Sequence, residues 1–223
     1  MKLSENTISI LKNCAMINEG IQIKPGSTIR TISKMKNVLA KATIDETFDN
    51  EIVLYDLNRF LGLVGMLKDP EIEVNSGEKI LNVKSSSTNS KIRLSDVSMI
   101  IAPPEKDIDL VSPEVEFELK QNDLNQVVRS SSVLGLPNIA VIGDRENIYL
   151  ATLDQKDSNS DEFKIKVGTT SSEFVFYFVT ENLKLISGDY NVSVTTKGFS
   201  HFKNVNGKIE YWLANEAGSE FSE

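Results

Sequence analysis

The chain holds one cysteine, Cys14, and one histidine, His201, among 223 residues. A lone thiol excludes an intrachain disulfide and suits a reducing cytoplasm. A metal site of the His/Cys type needs several such ligands, so none can form within one chain. Gly-x-Ser-x-Gly, Gly-x-x-x-x-Gly-Lys-Ser/Thr and Gly-x-Gly-x-x-Gly are all missing. No cofactor or catalytic residue is therefore expected. His201 reads as an ordinary strand or turn residue, and the acidic cluster 157–162, with its serines and asparagine, as a solvated loop. No apolar run reaches the ~18 residues that a membrane-spanning helix needs. The start, Met1-Lys-Leu-Ser-Glu-Asn6, enters a polar amphipathic stretch rather than an apolar signal core.

Net positive charge is missing too. The formal charge is −8 and the pI about 4.9. A protein that holds nucleic acid by bulk attraction would be basic. The balance still allows one whose few cations are gathered on a single face.

What is present is a repeat. An apolar strand runs straight into a helix at Glu51-Ile-Val-Leu-Tyr55 followed by 56–67. The pattern recurs at 114–119 followed by 122–129, and at 173–178 followed by 180–186. Asp56, Asn122 and Thr180 stand where each helix should begin, and all three types cap free N–H groups of a first turn. Internal repetition decides the fold class before any motif does.

The remaining elements fill in around it. Residues 4–17 read as an amphipathic helix with Ser4 as N-cap. Strands are expected at 20–24, 28–33 and 38–44, with Pro25-Gly26 turning between the first two. After the helix at 56–67, which Asp69-Pro70 ends, come strands at 71–75, 79–84 and 91–94. The second half expects helix 121–134 and strands 138–142, 146–153 and 162–168. It then expects helix 180–187 and strands 189–196, 199–205 and 208–214, with 215–223 as a polar tail. A first strand reduced to residues 1–3 completes four β-α-β-β-β units. The expected architecture is α+β: two similar domains, 1–98 and 114–223, each with helices on one face of antiparallel sheets. The proline-rich stretch 99–113 is an extended connector.

The helices segregate charge. Glu5, Asp56, Asp123 and Glu181 sit in or beside first turns, where the helix dipole favours acids. Lys12, Arg59, Lys68, Arg129 and Lys184 lie in later turns, with Lys120 just before its helix. Two readings fit: cations that complement helix C-termini, or a basic surface for an anionic partner.

In order and spacing, the chain resembles the sliding clamps of T4-like bacteriophages, processivity factors of DNA polymerases. The residues that carry this are Met1-Lys-Leu-Ser4, Leu11-Lys-Asn13, Tyr55-Asp-Leu-Asn58 with Phe60-Leu-Gly62, and Ile101-Ala-Pro103. The resemblance implies the DNA-clamp fold and a homotrimeric ring of six domains around duplex DNA in the infected host cell. Helices would line the hole, with Lys12, Arg59, Lys68, Lys120, Arg129 and Lys184 facing DNA without regard to sequence. It implies further partners as well: the clamp loader, late-transcription factors, and a C-terminal peptide of the polymerase. Ile100, Ile101, Pro103, Pro104, Ile108 and Leu110 of the connector would form one wall of the peptide's groove at the junction of the domains. The plain alternative is an interdomain connection pinned by its apolar residues. From their place in the repeat, edge strands carrying Ile92 and Leu94, and Phe163, Ile165 and Val167, would pair across subunits. The competing function is a repeat-built adaptor or virion component that binds protein only.

Overall fold

The computed structural model describes residues 1–106, 108 and 112–222. Its contacts divide the chain into two compact units, Met1–Asp107 and Ile108–Glu223. The division falls inside the stretch that the prolines mark as a connector.

Unit 1 opens with α1 (Glu5–Ile17). The Ser4 hydroxyl accepts the Thr7 N–H at 3.2 Å, and Ile10, Leu11, Cys14 and Ile17 form the buried stripe. That stripe packs on β3 (Val38–Phe48), which pairs antiparallel with β2 (Gly26–Ile32). A short pair, β1 (Ile21–Ile23) with β4 (Ile52–Leu54), leads into α2 (Leu57–Met66). Asp56 caps α2 by accepting the N–H groups of Asn58 and Arg59. Leu57, Phe60, Leu61 and Val64 are its buried side, and α2 lies beside α1. The antiparallel sheet β5-β6-β7 (Glu71–Asn75, Ile80–Lys84, Asn89–Arg93) follows. A 3-10 turn at Val97–Met99 then leads to the connector.

Unit 2 contains β8 (Val115–Leu119), α3 (Gln121–Leu134) and eight further strands. These are β9 (Asn138–Asp144), β10 (Asn147–Leu153), β11 (Phe163–Thr169), β12 (Glu173–Val179), β13 (Tyr190–Val194), β14 (Phe199–Asn204), β15 (Ile209–Ala214) and β16 (Glu220–Ser222). Five strands pair in the order β11-β10-β9-β12-β16. A second antiparallel run is β15-β14-β13-β8. α3 lays Leu124, Val127 and Ser131 over β9 and β10 and ends at Gly135, whose φ of 68° is the left-handed conformation that suits glycine. Phe178 of β12 meets Phe202 of β14 edge to face, with ring centroids 5.8 Å apart, which locks the two sheets together.

Four expectations are corrected. The helix at 180–187 is only a 3-10 turn, Thr180–Asn182. Beyond it the backbone is drawn into side-chain bonds: the Ile186 N–H donates to the Tyr211 hydroxyl at 3.1 Å, and the Tyr190 hydroxyl donates to the Ile186 carbonyl. So short a segment has little helical stability of its own to resist this. Neither Thr180 nor Asn122 is an N-cap. At α3 the first N–H is answered from a distance, Gln121 donating to Asp189 at 2.8 Å. Residues 1–3 form no strand, although Met1 and Ile72 exchange two backbone bonds of 2.7 and 2.8 Å. The polar tail is instead β16, which pairs with β12 and stacks Phe221 on Phe174. Reading the run as polar passed over that aromatic anchor.

Candidate DNA-facing surface and connector

The solvent side of each helix follows from which face its unit buries. On α1 the exposed residues are Glu5, Ser9, Lys12 and Met16; on α2 they are Asn58, Arg59, Gly62, Gly65 and Met66. On α3 they are Asn122, Asn125, Gln126, Arg129 and the final Ser132, Val133 and Leu134. Among the described residues, no helix carries an aspartate or a glutamate beyond its first turn, while the chain holds 32 acids in all. Past the first turn the exposed helical faces thus mix polar side chains with Met16, Met66, Val133 and Leu134, are weakly cationic and carry no anion. Such a face can meet a phosphate backbone without base-specific contacts.

The expected basic residues divide into four groups. Lys12, Arg59 and Arg129 stand on these faces. Arg59 is 84% exposed, but its Nε lies 3.1 Å from Asp56 Oδ2. Lys68 is exposed just past the end of α2, beside a cleft with Lys2, Lys84 and Ser85. Lys120 is paired with Glu118 and Asp189, which raise its pKa, the Glu118 hydrogen bond most. Lys184 is half-buried beyond the 3-10 turn rather than on a helix.

The connector residues also separate. Pro103 and Pro104 line a cleft of about 500 Å³ with Gln22, Lys24, Pro25, Thr28, Arg30, Lys41 and Glu105. Ile100 and Ile101 belong to a second recess of about 260 Å³, with Asn18, Gly20, Tyr55 and Met99. Ile100 packs so tightly on Gly20 that a Cβ there would lie 2.8 Å from its Cγ2. Tyr55, Met99 and Ile101 are 64%, 63% and 38% exposed, an apolar cluster open to solvent. Ile108 is half-buried, and Leu110 lies outside the described residues. Sequence reasoning missed Asn18, Lys24, Arg30 and Tyr55. An asparagine after a helix reads as a plain cap, and no periodicity marks the others.

Among the described residues, β7 pairs only with β6 and β11 only with β10. Ile92, on β7, and Leu94, just past it, are half-buried, as are Phe163, Ile165 and Val167, which alternate with exposed Lys164 and Lys166 on β11.

Comparison with known proteins covers both units. The family profile for DNA polymerase processivity factor matches residues 2–102, and that for the gp45 sliding clamp, C terminal, matches 116–217. The sliding clamp of Vibrio phage KVP40 is 34% identical over 97% of this chain and 100% of its own. That of Enterobacteria phage T4 is 30% identical over 98% of each. Among solved structures, A. fulgidus PCNA bound to the C-terminal region of FEN-1 has a TM-score of 0.70 at 17% identity, covering 98% of both chains. PCNA from Thermococcus kodakaraensis gives 0.69 at 15%, covering 95% of this chain and 96% of its own. At those identities the likeness is one of fold. Matched in both halves and related over nearly its full length at 30–34% identity, the chain belongs to the sliding-clamp family of DNA polymerase processivity factors.

Proposed function

We propose that this chain assembles as a homotrimeric ring that encircles duplex DNA and tethers the replicative polymerase. It acts as an accessory factor with no chemistry of its own. Family membership supports the clamp role and disfavours a protein-only adaptor. The observation that carries DNA encirclement is the charge segregation: in a chain of net −8, α1, α2 and α3 carry no acid beyond their first turns. Lys12, Arg59 and Arg129 are the contacts that remain on those faces; Lys68 adds to them at the end of α2. Lys120 and Lys184 are secondary, one being ion-paired and the other half-buried.

The ring closes by pairing the open edge of β7 with that of β11 of the next subunit, burying Ile92, Leu94, Phe163, Ile165 and Val167. The connector, residues 99–113, offers the exposed apolar group around Ile101 to a C-terminal peptide of the polymerase, with Pro103 and Pro104 as the rigid part of that wall. The PCNA neighbour that holds a partner's C-terminal region supports this mode. Clamp loader and late-transcription factors compete for the same surface.

The deciding experiment is retention on DNA after loading. Clamp loaded by its clamp loader should stay on closed circular DNA and leave when the circle is cut. Equal loss from both would reject encirclement. Light scattering at micromolar concentration should give a trimer mass, and a monomer that does not associate on concentration would reject the ring.

A further inference from the structure

We propose that Asn18 and Arg30 are positioning residues that lash the first part of the connector onto unit 1, so that the surface a partner tail meets is formed in advance. The functional half of this statement rests on the reading of the connector as the partner-binding segment.

Asn18 is 5% exposed and stands at the end of α1. Its amide nitrogen donates to the Ile32 carbonyl at 2.9 Å and to the Ile101 carbonyl at 3.3 Å. Its amide oxygen accepts the Gly20 N–H at 3.0 Å. One buried side chain thus ties together the end of α1, the last residue of β2 and the connector. Arg30, on β2, makes the second tie. Its Nη1 donates to the carbonyls of Pro104 and Glu105 at 3.1 and 2.9 Å, with that of Lys106 at 3.4 Å. Lys24 adds an ion pair to Glu105.

The chemistry of the connector explains why donors must come from outside. Pro103 and Pro104 have carbonyls but no N–H, so this stretch cannot enter a sheet ladder as a donor. A guanidinium offers donors and no acceptor, which suits a row of carbonyls. Of the residues a tail would touch, Ile101 is held at the first tie and Pro103 lies between the two. Holding them there in the free protein spares the ordering cost on binding.

The test uses the full-length chain with Arg30→Ala and Arg30→Lys, and Ile101→Asp as a control for the groove. Amide order parameters at Glu105 and Lys106 should fall in Arg30→Ala from the rigid range of about 0.85 to below about 0.6, because the bonds to their carbonyls that fix this stretch are lost. Amides of β3 should keep their values, and Arg30→Lys should fall between. Binding of a labelled polymerase C-terminal peptide should weaken chiefly through a slower association rate, because the connector must then be ordered on contact. Unchanged order parameters at Glu105 and Lys106 in Arg30→Ala would overturn the proposal. Unchanged peptide affinity in Ile101→Asp would instead remove the groove reading, while the order parameters would still decide whether Arg30 holds the connector.

Discussion

The Arg59 guanidinium Nε lies 3.1 Å from the Oδ2 of Asp56, the same carboxylate whose other oxygen caps α2. The cation that we propose meets DNA is therefore held by the acid that starts its own helix. Asp56→Asn keeps a good N-cap, so helix stability should hold, while Arg59 loses its ion pair. DNA affinity should rise and become more salt-dependent. Salt titration of DNA-bound clamp checks this, and an unchanged slope would mean that Arg59 does not meet phosphate.

Charge reversal at Lys12, Arg59 and Arg129 together with Glu should impair loading or sliding and leave the trimer intact. Processivity assays with parallel light scattering read both. Unchanged processivity would take these three out of the DNA-facing surface.

Gly62 in the middle of α2 and Gly65 in its last turn face solvent, with nothing within 4 Å of where a Cβ would stand. Glycine in a helix interior costs about 0.5–1 kcal/mol relative to alanine. Gly62→Ala should raise stability by that much in urea titration, and Gly65→Ala, nearer the helix end, by less. A loss of stability would show that the open face is filled.

Phe221→Ala should destabilise unit 2 by about 1–2 kcal/mol, since it removes the ring stacked on Phe174 at a centroid distance of 6.1 Å. Thermal unfolding reports it; a change within error would return 215–222 to the status of a tail.

His201 lies against Trp212, ring centroids 4.8 Å apart, with its Nε2 3.0 Å from Glu210 Oε2. Burial resists its charging and lowers its pKa, and the Glu210 bond only partly opposes that. In the unfolded chain the ring titrates near its ordinary value, so below that pH the unfolded state binds the extra proton. The contribution of His201 to stability is therefore full above about pH 6.5 and is lost as pH falls through the depressed folded value. Melting temperature should drop between pH 7.5 and 5 more in the wild type than in His201→Gln. Parallel slopes would refute it.

Much of the fold could be read because local signals agreed with tertiary packing. Ser4 and Asp56 cap where their side chains suggested, and the bounds of α3 and β5 coincide with the runs read from the residues. The failures came where distant groups decided. Tyr190 and Tyr211 claim the backbone that would have made a fourth helix, Asp189 replaces Asn122 as the donor's answer at α3, and Phe174 recruits a segment that looked merely acidic. The site behaved alike. Exposed cations on helices were legible from spacing, whereas the hold of Asn18 and Arg30 on the connector depends on carbonyls far along the chain.

The fit of Ile100 against Gly20 makes two remote positions behave as one locus in evolution. Any side chain gained at 20 must be repaid by volume lost at 100, so the two should covary among relatives. A lineage that enlarges residue 20 alone would push the root of the connector outward and change which tails it can bind, without touching any residue that binds them.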